Sequence, residues 1–148
     1  MRRREIHIRT LTPADPEAVY RLLTDGSSWP RWSPIESFEL EQPGVPPSEG
    51  VGAIRVFRLG RTTGRDQILE LVPNRSISYA SLSGLPIRSY VGVVDLEAAP
   101  GGGAAIHWHS SFFPKVRGSG WIVERGIRRF LERCTYGLAA YAAAKQSA

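Results

Sequence analysis

Between Gly50 and Phe113 the chain divides into strand-like runs separated by turn residues, and this meander constrains the fold more than any other feature. Gly60-Arg61, Pro73-Asn74, Gly84-Leu85-Pro86 and Pro100-Gly101-Gly102-Gly103 interrupt it roughly every 10 to 17 residues, the spacing at which antiparallel strands follow one another through short connections. The intervening segments, Val51 to Leu59, Thr63 to Val72, Ser76 to Ser83, Arg88 to Ala98 and Ala104 to Phe113, are predicted strands. Strands this long joined by turns this short demand a strongly curved sheet. From Gly118 to Lys145 the period changes. Val123, Ile127, Phe130, Cys134, Leu138 and Tyr141 step by four and three residues, which predicts one helix on the order of 40 Å long with that stripe against the sheet.

Ahead of the meander, Glu5 to Thr10 alternates Ile6 and Ile8 with polar neighbours, the period of a half-buried strand. Pro13 to Asp25 predicts a helix, with Thr12 or Asp15 as cap, Pro13 or Pro16 in the first turn, Val19, Leu22 and Leu23 on one face, and Gly26 at its end. Ile35, Phe38 and Leu40 suggest a short strand, followed by a proline-rich loop from Pro43 to Pro47. Between helix and strand lies Ser28-Trp29-Pro30-Arg31-Trp32-Ser33-Pro34, two indoles and two prolines in seven residues. Each indole buries a large apolar area but needs a partner for its N–H, so the pair suits a core plug or a lid over an apolar space.

The length of 148 residues predicts one domain, 1–148, able to bury about two thirds of its unfolded surface. No run approaches the ~18 apolar residues of a bilayer span, so membrane insertion is not expected. The basic start, Arg2 to Arg4, is followed by alternating Ile6-His7-Ile8-Arg9 and not by an apolar stretch, which leaves export unsupported. The single Cys134 can form no internal disulfide, and a cytoplasmic location is expected. The net charge of +5 comes from seventeen arginines scattered along the chain and only two lysines. Without a recognised reading motif this charge predicts no nucleic-acid partner. Arg125, Arg128, Arg129 and Arg133 nevertheless give the last helix a basic face, a candidate surface for an acidic protein partner.

Element order and residues together resemble the START-like (SRPBCC, birch-pollen-allergen-like) superfamily, and within it the polyketide cyclase/dehydrase and lipid-transport family. The residues that carry the resemblance are Trp29, Pro30, Trp32 and Pro34, then Gly50, Gly52, Pro73 and Tyr79. Gly84-Leu85-Pro86, Tyr90, Gly92, Gly102-Gly103, Trp108 and Phe113-Pro114 complete it. It implies an α+β helix-grip fold: a curved antiparallel sheet of about seven strands wrapped around a long C-terminal helix, with short helices after the first strand. It also implies a cavity between sheet and helix for an apolar or aromatic small molecule. The family's catalytic residues form no local motif to carry over, and the fold alone fixes no reaction.

Alternation selects the inward residues. Ile106, Trp108, Ser110 and Phe112 are more apolar than His107, His109 and Ser111, so the first set should face inward and the two histidines outward. The histidines lack a third ligand in view, His7 standing elsewhere in the chain, and no metal is expected. Ile77, Tyr79 and Ser81 should point inward, as should Tyr90, Gly92, Val94 and Leu96 on the next strand; Arg55, Asp66 and Gln67 have ambiguous parity. An inward Arg55 would need a partner or an anionic ligand. Gly126 and Gly137 cost helix stability and suggest a need for room. Cys134, on the core stripe, reads as a small buried hydrophobe.

The expected ligand-binding set is therefore Trp29, Trp32, Arg55, Tyr79, Tyr90, Trp108, Ser110, Phe112, Gly126 and Phe130, with the catalytic residues unassigned. No nucleotide, phosphate or hydrolase motif occurs, and no cofactor is expected. The leading function is binding or transport of a hydrophobic small molecule by a monomer or homodimer. The alternatives are a cyclase, aromatase or dehydratase acting on a polyketide-like chain, and a module that docks an acidic protein.

Overall fold

Strand β1 (Arg4–Thr12) follows its alternation, with Ile6 and Ile8 buried and Glu5, His7 and Arg9 exposed, in a computed structural model that describes residues 2–147. Helix α1 (Pro16–Thr24) takes Asp15 as its N-cap residue and Pro16 in its first turn, and buries Val19, Leu22 and Leu23. A 3-10 turn (Gly26–Ser28) leads into α2 (Trp29–Trp32), a single helical turn that carries both indoles. Ser33 closes it, with both its N–H and its hydroxyl donating to the Trp29 carbonyl at 2.9 and 2.8 Å.

Six further strands follow: β2 (Ser37–Gln42), β3 (Ile54–Leu59), β4 (Thr62–Val72), β5 (Ser76–Ser83), β6 (Ile87–Ala98) and β7 (Ala104–Pro114). Strand β3 starts three residues later than predicted because Gly50-Val51-Gly52 forms a turn, in which Gly52 takes a φ of +90° that a side chain would oppose. The strands form one antiparallel sheet in the order β1-β7-β6-β5-β4-β3-β2. The meander β2 to β7 is thus extended by β1, which pairs with the last strand. Register shifts interrupt β4 between Arg65 and Asp66 and between Ile68 and Glu70, and β6 between Arg88 and Val91. Bulges of this kind bend the sheet and re-aim side chains next to them.

Helix α3 (Gly120–Ser147) lies in the concavity, nearest β1 and β7, with α1 and α2 against its other side. Its buried stripe runs through Ile127, Leu131, Cys134, Thr135, Leu138, Ala139 and Ala142, whereas Val123, Phe130 and Tyr141 are half-buried at its edge. The predicted stripe is therefore displaced around the helix. The physical reason is that α3 packs on one end of the sheet and beside two short helices, and does not cross all the strands equally. Two contacts fix its height. The Thr12 hydroxyl donates to the Ala139 carbonyl at 2.8 Å. Gly137 meets the Trp32 carbonyl so closely that a Cβ there would run into it.

Candidate functional site

Because α3 sits towards β1 and β7, the concave faces of β3 to β6 are left partly uncovered, and a cavity of about 360 Å³ opens there. Its wall comes from α2 (Trp29), β3 (Phe57, Leu59), β4 (Thr62, Gly64, Asp66), β5 (Tyr79, Ser81), β6 (Tyr90), β7 (Trp108) and α3 (Val123, Gly126, Ile127, Phe130), with Ile35 and the Leu85-Pro86 turn completing it. The inward sets predicted for β5, β6 and β7 do face this side: Tyr79, Tyr90 and Trp108 are at most 6% exposed. Gly92 leaves the space that the Tyr79 ring fills, since a Cβ at that position would run into the phenol.

Of the ten residues expected to bind ligand, Trp29, Tyr79, Tyr90, Trp108, Gly126 and Phe130 line the cavity, and Trp32, Arg55, Ser110 and Phe112 lie outside its wall. The two indoles of the tryptophan segment divide the roles that the sequence left open. Trp29 faces the cavity, donates from Nε1 to the Leu23 carbonyl at 3.2 Å and stacks on Phe57 with ring centroids 4.6 Å apart. Trp32 is a core plug, its Nε1 donating to the Ser28 hydroxyl at 3.0 Å. Phe112 is fully buried behind Tyr90, at a centroid separation of 6.1 Å. Ser110 is buried beside the Tyr90 phenol, without a well-formed hydrogen bond from its hydroxyl. Gly126 faces open space, where a Cβ would touch nothing within 4 Å. The two helix glycines thus have different causes, cavity room at Gly126 and close packing at Gly137.

Arg55 does point inward, but beneath the wall. Its guanidinium lies beside the stacked Trp29 and Phe57 rings, 5.2 and 5.1 Å from their centroids, and Nη1 donates to the Leu23 carbonyl at 2.9 Å. Glu49 stands 3.7 Å from Nη1 and accepts from the Gly26 N–H at 2.8 Å. Burial raises the pKa of Glu49, partly opposed by the Gly26 hydrogen bond and the Arg55 charge. Nε and Nη2 of Arg55 have no hydrogen-bond partner among the described residues. Burial works to lower the pKa of Arg55, and the negative charges of Asp66 and Glu49 oppose it; a guanidinium keeps its proton under such conditions.

Asp66 is the polar residue of the wall that parity left ambiguous. It pairs across the sheet with Arg55 on one side and Ser81 on the other, at the β4 register shift. A charged residue directly opposite Arg55 was the available signal; the bulge hid its orientation. Burial pushes the Asp66 carboxyl up to about 6, against the pull of Arg55. The two phenols beside it are also kept neutral by burial. Tyr90 is pushed up to about 12, and Tyr79, whose oxygen accepts from Trp108 Nε1 at 3.0 Å, is raised well above its usual 10.0. An apolar cavity therefore holds one carboxyl poised to exchange a proton near neutral pH and two phenols that stay protonated. Cys134 is fully buried and its thiol is pushed up by burial, so it offers no nucleophile.

The outer face of the sheet differs. A larger groove of about 1160 Å³ passes Arg9, Arg75, Asp95, Glu97 and His107. His107 and His109 are outward, as alternation predicts, but they are not alone: the β1–β7 register sets His7 directly opposite His109. Burial, His109, Arg9 and His7 hold His107 below its usual value.

A curved antiparallel sheet gripping a C-terminal helix over an apolar cavity defines the class, the helix-grip fold of START-like proteins. The chain belongs to the family described as polyketide cyclase / dehydrase and lipid transport, whose model matches residues 4–143. Among solved structures it is similar to Ara h 8.0201, with a TM-score of 0.78 at 16% identity over 97% of this chain and 99% of that one. An uncharacterised protein from Bacillus thuringiensis gives a TM-score of 0.74 at 16% identity, covering 94% and 98% of the two chains. TTHA0849 from Thermus thermophilus gives 0.72 at 19% identity, covering 96% and 99%. No protein of curated function matches the sequence. Among the described residues no helix is long and apolar enough to cross a membrane.

Proposed function

We propose that this protein binds a compact hydrophobic small molecule, aromatic or polyketide-like, in the cavity between sheet and α3. The single observation that carries this reading is the cavity itself: about 360 Å³, walled mainly by aromatic and aliphatic side chains, with its polar groups gathered at Asp66, Tyr79, Tyr90 and Ser81. That volume lies near the lower end of small-molecule sites, which run from about 300 to 1000 Å³, and favours a ring system or short chain over a long lipid. Apolar burial supplies affinity, and the carboxyl and phenols orient a carbonyl or hydroxyl of the ligand. The reading needs no nucleic acid and works in a monomer or a homodimer. An unpaired, buried Cys134 supports a cytoplasmic setting.

The test uses the two tryptophans of the cavity wall, Trp29 and Trp108, as reporters. Flavonoids, short fatty acids and aromatic polyketides should quench tryptophan fluorescence and raise the melting temperature by linkage. Gly126→Leu places its side chain in open space, so it should leave a folded protein and weaken binding by at least ~10-fold. A panel that gives neither quenching nor a thermal shift, or binding that Gly126→Leu leaves unchanged, overturns the reading.

Asp66 favours one second reading, an enzyme of the cyclase or dehydratase kind. A carboxyl near 6 in an apolar cavity is suited to take a proton from carbon next to a ligand carbonyl, while Tyr79 or Tyr90 donates to the oxygen. If turnover of a polyketide-like substrate exists, Asp66→Asn should reduce kcat by ~100-fold or more, with ligand binding retained, and Tyr90→Phe by ~10-fold. The acidic-partner reading rests only on Arg125, Arg129 and Arg133, which are exposed on α3.

A further inference from the structure

On the outer face, β1 and β7 bring together three histidines that are far apart in sequence. His7 pairs directly with His109, and His107 follows on the same side of β7, two residues away. One ligating atom from each ring can be chosen so that all three lie within 4.8 Å of one another. The rings stack, with centroids 4.3 Å apart for His107 and His109, 5.1 Å for His7 and His107, and 5.5 Å for His7 and His109. His7 Nδ1 and His107 Nε2 are 2.9 Å apart. On β6, Asp95 carries an oxygen 2.8 Å from His109 Nε2.

We propose that His7, His107 and His109 form a three-histidine site for a borderline divalent metal ion, zinc foremost, with Asp95 orienting His109. Two facing ring nitrogens at hydrogen-bond distance must share one proton, so one of them already directs a lone pair into the cluster. A metal that replaces this proton makes both nitrogens ligands. Tetrahedral bonds of about 2.0–2.1 Å need nitrogens roughly 3.3 Å apart, so the His7–His107 pair has only to open by a few tenths of an ångström. The third ring needs a small swing about its side-chain torsions. Backbone placement is rigid, because the three positions lie within two hydrogen-bonded strands. Asp95 takes the outer-partner role, holding one nitrogen of a ligating imidazole through a carboxylate and leaving Nδ1 of His109 for the ion. Its charge offsets that of Arg9, which stands opposite His107. An all-imidazole set suits zinc, nickel or copper and not calcium or magnesium. Three protein ligands leave a fourth position for water or for a donor from another molecule.

The test uses the full chain without a histidine tag, stripped with a chelator and titrated with ZnCl2 and separately with CoCl2. One zinc per chain is expected, along with cobalt absorption bands of a four-coordinate nitrogen site. His7→Ala, His107→Ala and His109→Ala should each weaken zinc by at least ~100-fold with an unchanged far-ultraviolet circular dichroism spectrum. Asp95→Asn should weaken it by ~10- to 100-fold. His7 is exposed, and His7→Gln serves as a second variant that keeps the strand polar. Absence of stoichiometric binding overturns the proposal. So does zinc binding that survives both His7 variants, since that marks an adventitious pair on β7.

Discussion

On its concave side β7 presents Ile106, Trp108, Ser110 and Phe112, each at most 4% exposed, while the other side of the same strand presents His107, His109 and Ser111 half-buried. The two sides solve different problems. Inside, polar groups are few and each is constrained: Trp108 donates to Tyr79, Arg55 is wedged under Trp29, and Asp66 holds its proton to about 6. Outside, polar groups are numerous and are organised by neighbours across strands, with solvent available to any that lose a partner. Changes to the inner side should therefore cost stability or ligand binding, and changes to the outer side should cost little of either.

The largest effect expected from this contrast is at Trp108. Trp108→Ala should cost about 3–5 kcal/mol in urea unfolding, by loss of buried area and creation of a void. A loss below about 1 kcal/mol would mean that the inner side is not a packed core. Next, the two helix glycines should respond with opposite signs. Gly137→Ala presses on the Trp32 backbone and should cost about 1–3 kcal/mol, whereas Gly126→Ala faces open space and should gain up to about 1 kcal/mol. Equal responses would show that α3 does not approach α2 as described.

The pH dependence is smaller. The folded-state value of Asp66, about 6, lies above its ordinary 3.8, so the native state holds the proton more tightly than the unfolded chain. Stability from this group is complete below about pH 4, declines as the pH rises towards 6 and is level above that. The decline should be no more than about 2 kcal/mol once partial exposure is allowed for. Asp66→Asn should remove that part of the slope, read as the difference between the two proteins' urea midpoints at pH 4 and pH 7. A parallel decline in both places the titration elsewhere. The smallest effect is outside: His109→Ala should change stability by less than about 1 kcal/mol, the range for a partly exposed polar pair, and should leave probe binding in the cavity unchanged.

Much of the fold was legible because it depends on local periods. Alternation gave the strands and their inward residues, the change of period located α3, and Gly60, Pro73, Gly84 and the triple glycine marked the turns. The errors were of one kind. The α3 stripe was displaced because α1 and α2 also claim part of the helix surface. Asp66 escaped because a register shift sits beside it. Trp29 and Trp32 were not separable, since residue type alone does not tell which indole plugs the core against Ser28 and which lines the cavity.

The sequence by itself determined the order of elements, the sides of β5, β6 and β7 that turn inward, and the outward direction of His107 and His109. Each of these follows from the two-residue pleat or the helical period acting within one segment. The tertiary structure alone decided that Asp66 stands opposite Arg55 in the cavity wall and that His7 stands against His109. Those contacts depend on which strands pair and in what register, and the register is set by packing the whole sheet around α3.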